Sequence, residues 1–82
     1  TIQSDEEIER QVSSRQKKVL MLLAEAGPAG PSSVAKELRL SAATAYRDLE
    51  LLERLELIRS NEGKREITAR GQQFISFAMK RP

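Results

Sequence analysis

At 82 residues, 39% of them hydrophobic and 32% charged, the chain is long enough for one modest core and too short for two, with the balance of a folded soluble domain. The absence of Cys and His removes disulfides, zinc fingers, Cys and His nucleophiles and His general bases together, so no catalytic dyad can be assembled and no metal or other cofactor is expected. The longest apolar run, residues 19–24, falls far short of the roughly 20 needed to cross a bilayer, no leader-like pattern precedes it, and the formal net charge is +2, so a cytoplasmic protein without a membrane span is expected.

In chain order, Ser4 with Glu7 fits a capping box and Ile8 with Val12 gives an apolar spacing of four, so residues 1–13 read as an N-terminal extension with a short or frayed helix. Residues 14–82 read as the folded domain. Ser13 or Ser14 caps a stronger helix, in which Val19, Leu20, Leu22, Leu23 and Ala26 recur at helical spacing until Gly27 and Pro28 stop it. Residues 27–31 cannot propagate a helix and predict a loop with an extended residue or two, leading to Ser32 or Ser33 as the cap of a short helix that turns Val34, Ala35 and Leu38 inward. Arg39, Leu40 and Ser41 make a tight break, and Ser41 caps a helix over residues 42–55 whose inner face is Ala45, Leu49 and Leu52. Residues 57–60 and 65–68 then flank a hairpin turning at Glu62 and Gly63; a two-residue turn pairs Arg59 with Glu66 outside and Ile58 with Ile67 inside. Thr68 caps a last helix through Lys80, with Phe74, Ile75 and Ala78 as its inner stripe and Gly71 permitting close packing.

Charge is unevenly spread. Asp5, Glu6, Glu7 and Glu9 against Arg10 leave residues 1–13 acidic, so the rest of the chain is more basic than the total suggests and fits a polyanionic partner. Three aromatics, Tyr46, Phe74 and Phe77, are too few for a base-stacking sheet. The chain begins at Thr1 rather than Met, which reads as a piece of a longer protein.

The order helix, helix, tight turn, helix, hairpin, helix, together with SVAKELRLSAATAYR at residues 33–47 and ITARG at residues 67–71, resembles the winged helix-turn-helix domains of MarR-like and related prokaryotic regulators. The resemblance covers residues 14–80 and implies a mainly α fold with a small β-hairpin: a three-helix core, a two-stranded wing and a C-terminal helix. It implies sequence-dependent binding of double-stranded DNA for transcriptional regulation, association with the nucleoid, the third helix in the major groove and the wing on the minor groove or backbone. The sequence departs from the family at Arg39 and Glu56, where Gly is usual, and in an acidic third helix, where Asp48, Glu50, Glu53 and Glu56 outnumber Arg47 and Arg54.

On that geometry Ser41, Ala42, Ala43, Thr44, Tyr46 and Arg47 face the groove, Lys64 and Arg65 sit at the wing tip, and Arg15, Lys17 and Lys18 at a helix start offer phosphate contacts. Each has a plainer reading: Arg47 paired with Glu50, Tyr46 half-buried against the second helix, Lys64 and Arg65 as turn polarity, and the basic helix start as solubility. Ser32, Ser33 and Ser41 read as caps because no base activates them, and Glu50 with Glu53 reads as a solvated face. Ile8, Val12, Phe77 and Met79 predict a homodimer through the terminal helices, unless the N-terminal helix folds back over Phe77 within one chain. Leu51 and Leu55 add a second apolar line to the third helix and point to the alternative, a winged helix that contacts a partner protein.

Overall fold

A computed structural model describes residues 4–80; residues 1–3 and 81–82, the outer ends of the two expected segments, lie outside it. Helix α1 (Asp5–Gln11) starts at a complete capping box, with the Glu7 amide donating to Ser4 Oγ at 3.3 Å and the Ser4 amide to Glu7 Oε1 at 3.2 Å. The Ser4 amide, followed by the Ser4 hydroxyl donating to Glu7 Oε1 at 3.1 Å, holds the Glu7 carboxyl below its usual range. A second capping box, between Ser13 and Gln16, opens α2 (Ser14–Ala26), which ends at Gly27 with φ 88°. Helix α3 (Pro31–Leu38) corrects one expectation: its N-cap is Gly30, which makes no side-chain bond, and Ser32 and Ser33 lie inside the helix. Pro31 explains the difference, because its missing amide and fixed φ suit the first helical position without a capping hydroxyl.

Helix α4 (Ala42–Arg54) is capped by Ser41, and strands β1 (Ile58–Asn61) and β2 (Lys64–Ile67) form an antiparallel hairpin in the expected register, Ile58 opposite Ile67 and Arg59 opposite Glu66. Glu62 and Gly63 both take positive φ, 52° and 82°, the signature of the tight turn whose twist matches the flanking strands. A third extended position completes the sheet: Ala29 exchanges backbone hydrogen bonds with Arg65 at 3.0 and 2.8 Å. Helix α5 (Ala69–Lys80) begins at Thr68, whose hydroxyl accepts from the Gly71 amide at 3.0 Å and donates to the Glu56 carbonyl at 2.8 Å.

Val19, Leu20 and Leu23 of α2, Val34 and Ala35 of α3, Ala45, Leu49 and Leu52 of α4, Leu57, Ile58 and Phe74 form one buried cluster. Ile8 and Val12 belong to it, at 0% and 4% exposure, which corrects the expectation that they lack a partner within the chain and offer an interface. Helix α1 folds back to contact α5, and its two apolar residues on one face are consumed by the chain's own core. Ala26, expected inward, is exposed, and Ile75 and Ala78 are half-buried.

The two positions where Gly is usual are both left-handed: Arg39 at φ 56° and Glu56 at φ 65°. Each ends a helix with paired backbone bonds, Leu40 to Ala35 and Arg39 to Lys36 after α3, Leu57 to Leu52 and Glu56 to Glu53 after α4. The left-handed penalty of about 1–2 kcal/mol exceeds the entropic cost of Gly, about 0.5–1 kcal/mol, so Glu56→Gly is expected to stabilise the fold by about 0.5–1 kcal/mol. Urea denaturation checks this, and a lowered midpoint would show that Glu56 makes a compensating contact.

Candidate nucleic-acid interface

Helices α3 and α4 pack closely because Ala35 and Ala45, both buried, occupy their contact faces. With Ala45, Asp48, Leu49 and Leu52 turned inward, the opposite side of α4 becomes an exposed ridge of Ala42, Ala43, Tyr46, Arg47 and Glu50, with Thr44 half-buried at its edge. At the start of that ridge Ser41 Oγ accepts from the Thr44 amide at 3.1 Å and donates its proton to Thr44 Oγ1 at 2.9 Å. Tyr46 is 49% exposed, which places it on the ridge and not against α3. Among the described residues Arg47 has no hydrogen-bond or ion-pair partner, Glu50 included.

Two of the three acids on α4, Asp48 and Glu53, are met by cations away from the ridge, while Glu50 stays exposed on it. Asp48 is 1% exposed and accepts from Arg15 Nε at 2.7 Å, Arg15 Nη2 at 2.9 Å and Gln16 Nε2 at 3.0 Å, a network that ties α4 to the first turn of α2. Burial pushes the Asp48 carboxyl up, but the hydrogen bonds from Arg15 and Gln16 and the Arg15 charge outweigh it and hold the group below its ordinary value. Glu53 accepts from Ser60 at 2.9 Å and lies 3.9 Å from Arg65 Nε. Two arginines therefore brace two acids, one from α2 and one from β2.

Arg65 is corrected by this arrangement. It was expected beside Lys64 at the wing tip, but its backbone is locked to Ala29 and its side chain is only 15% exposed, so it supports the hairpin and does not project from it. Lys64 is exposed at the turn, and Arg59, also exposed, pairs with Glu66 at 2.6 Å along the outer face. Lys17 lies 3.8 Å from Glu9, while Lys18 is exposed and unpaired among the described residues.

No family model matches the sequence, and no curated protein matches it. Solved structures do. MepR of S. aureus, solved in complex with DNA, is 20% identical over 92% of this chain and 68% of its own, with a TM-score of 0.79. A MarR family transcriptional regulator from Streptomyces coelicolor is 21% identical, covering 88% of this chain and 55% of its own at a TM-score of 0.77. ZitR of Lactococcus lactis is 29% identical, with 79% and 48% covered and a TM-score of 0.73. The fold is a winged helix-turn-helix, and its structural neighbours are MarR-family regulators. The chain spans about half the length of the last two proteins, 55% and 48%.

In this winged helix, α3 and α4 are the helix-turn-helix and β1–β2 the wing. Leu55 packs against the core and is removed from the apolar line expected to meet a partner protein; Leu51 is half-buried. Met79 is 65% exposed on α5, and Phe77, half-buried, lines an open groove with Asp5, Gln72, Gln73, Ser76 and Lys80. Among the described residues no group of acidic side chains is arranged to hold a metal, and no helix is long and apolar enough to cross a membrane.

The Arg15–Asp48 pair is the feature that sequence reasoning missed. A signal existed: Asp48 falls on the same stripe as Ala45, Leu49 and Leu52, and an arginine in the first turn of α2 opposes the helix dipole. Joined, the two anomalies predict each other.

Proposed function

We propose that the chain is the double-stranded DNA-binding module of a cytoplasmic transcriptional regulator, with the α4 ridge in the major groove and the wing against the neighbouring minor groove or backbone. The observation that carries this reading is a ridge of small and polar side chains, Ala42, Ala43, Tyr46 and an unpartnered Arg47, with Glu50 at its far end, while Asp48 and Glu53 are bound off the ridge. Ala42 and Ala43 permit close approach and suit thymine methyls, Arg47 suits a guanine edge, and Thr44 and Tyr46 add polar contacts. Ser41, Lys64, Lys17 and Lys18 supply the phosphate contacts that fix register. MepR, a protein of the same fold, was solved in complex with DNA, which supports DNA as the partner. The role is binding and not catalysis.

A duplex titration at two salt concentrations tests this. The three cations among these contacts, Lys64, Lys17 and Lys18, give log K falling with log salt at a slope of about −3, and salt-insensitive binding sinks the proposal. Arg47→Ala is expected to cost about 1–3 kcal/mol and relax sequence preference, whereas Lys64→Ala weakens all duplexes alike and flattens the slope by about one.

One module reads few base pairs, so two half-sites are expected, and the chain is proposed to pair as a homodimer through Phe77 and Met79. Sedimentation equilibrium is expected to give twice the chain mass, reverting to the monomer in Met79→Glu; a monomer at every concentration removes this part.

A further inference from the structure

Asp48 lies on the same side of α4 as Thr44 and Leu51, the stripe where the buried face meets the exposed ridge. Its carboxylate is sealed from water, and one edge of the Arg15 guanidinium fills it with Nε and one Nη2 proton. A guanidinium has five N–H donors, so three remain, two of them paired on the Nη1–Nη2 edge. Among the described residues nothing accepts from them, and the Arg15 side chain is 49% exposed. An arginine whose task was only to neutralise Asp48 would not need half its surface in water. This one is a planar fork whose inner edge is clamped on Asp48, one turn along α4 from Thr44, and whose remaining donors are exposed.

We propose that Arg15 is a phosphate-contacting residue of the interface and that Asp48 is its positioning residue. The proposal rests on the DNA-binding reading above and adds to it a contact from α2. The chemistry fits: guanidinium offers paired donors to phosphate oxygens, and a group already held in place loses little freedom when it binds. The sequence placed a phosphate contact at this helix start on charge alone; the clamp singles out Arg15 and gives it a direction. Lys17, tied to Glu9, lacks that fixed geometry.

The experiment uses a duplex selected by the wild-type chain from a random pool, then rebuilt with a single uncharged methylphosphonate at each backbone position in turn. Wild type is expected to lose about tenfold in affinity at one position flanking the α4 site, the scale of one charge-assisted hydrogen bond. In Arg15→Met that position becomes silent while the other positions keep their costs. Because the single variant strands a buried carboxylate, Arg15→Met with Asp48→Leu is measured beside it; removing both charges leaves no stranded ion in the core, and the same position is expected to be silent. Asp48→Asn, which makes the protein more basic, is nonetheless expected to reduce the cost at that position, since the fork is no longer held. If every position keeps its wild-type cost in the double variant, Arg15 touches no phosphate and the inference fails while DNA binding stands. If Asp48→Asn alone keeps the full cost, Asp48 does not position Arg15. A wild-type chain that selects no duplex overturns the DNA-binding reading and this inference with it.

Discussion

Gly71→Ala is expected to destabilise the domain by about 3 kcal/mol, although the substitution lies inside a helix where Ala is intrinsically favoured over Gly by about 1 kcal/mol. The two effects oppose each other, and geometry decides between them. A Cβ on Gly71 would run into the Leu57 carbonyl oxygen and sit 2.6 Å from Ile67 Cγ1. The obstacle is backbone and cannot rotate away. Moving it would disturb the Thr68 amide, which donates to the Leu57 carbonyl at 3.0 Å, and with it the Thr68 hydroxyl bond to Glu56 that joins α5 to the end of α4. For a domain of this size about 3 kcal/mol corresponds to a fall of roughly 12–24 °C in melting temperature. Thermal unfolding followed by circular dichroism reads it directly, and an unchanged or raised midpoint would mean that α5 does not approach the Leu57 backbone as closely as the structure has it.

Gly71, the hairpin and the caps other than that of α3 were legible in the sequence because each is a local rule. Two residues between Asn61 and Lys64 fix the register of both strands, and Ser41, Ser13 and Thr68 cap the helices that follow them. What was not legible depended on distant chain segments. Ile8 and Val12 announced an apolar face, but spacing does not say what covers it, and here the cover is the chain itself. Arg65 follows the turn closely enough to read as a wing tip; only its pairing with Ala29, which lies before α3, turns it inward. The helical period from Ser41 puts Ala42, Ala43, Tyr46 and Arg47 on the exposed side of α4, the side proposed to meet DNA, since burial of Ala45, Leu49 and Leu52 determines it. The acidity of α4 could not be judged by counting charges, because the cations that meet Asp48 and Glu53 are supplied by α2 and β2.

The ion pair between α2 and α4 is expected to fail asymmetrically. Removing the acid by Asp48→Asn leaves Arg15 able to rehydrate, since its side chain is already 49% exposed, and the loss is limited to the charged hydrogen bonds, about 1.5–3 kcal/mol. Removing the base by Arg15→Met leaves a carboxylate that is 1% exposed with Gln16 as its remaining partner, and this variant is expected to be the less stable of the two at neutral pH. The pH dependence separates the cases. In the wild type the Asp48 carboxyl is held below its ordinary value of 3.8, so its contribution is complete above that pH and is lost as the pH falls through the lowered value. In Arg15→Met, burial no longer has a cation to oppose it, the carboxyl rises above its unfolded value, and the folded state prefers the protonated acid. Its stability relative to wild type therefore improves as the pH is lowered from 7 towards 4, the range in which the wild type itself is flat with respect to this group. Urea denaturation of both proteins at pH 7, 5.5 and 4.5 checks the sign: parallel curves would mean that Asp48 is not buried as a charge, and that α2 and α4 are held together by their apolar contacts alone.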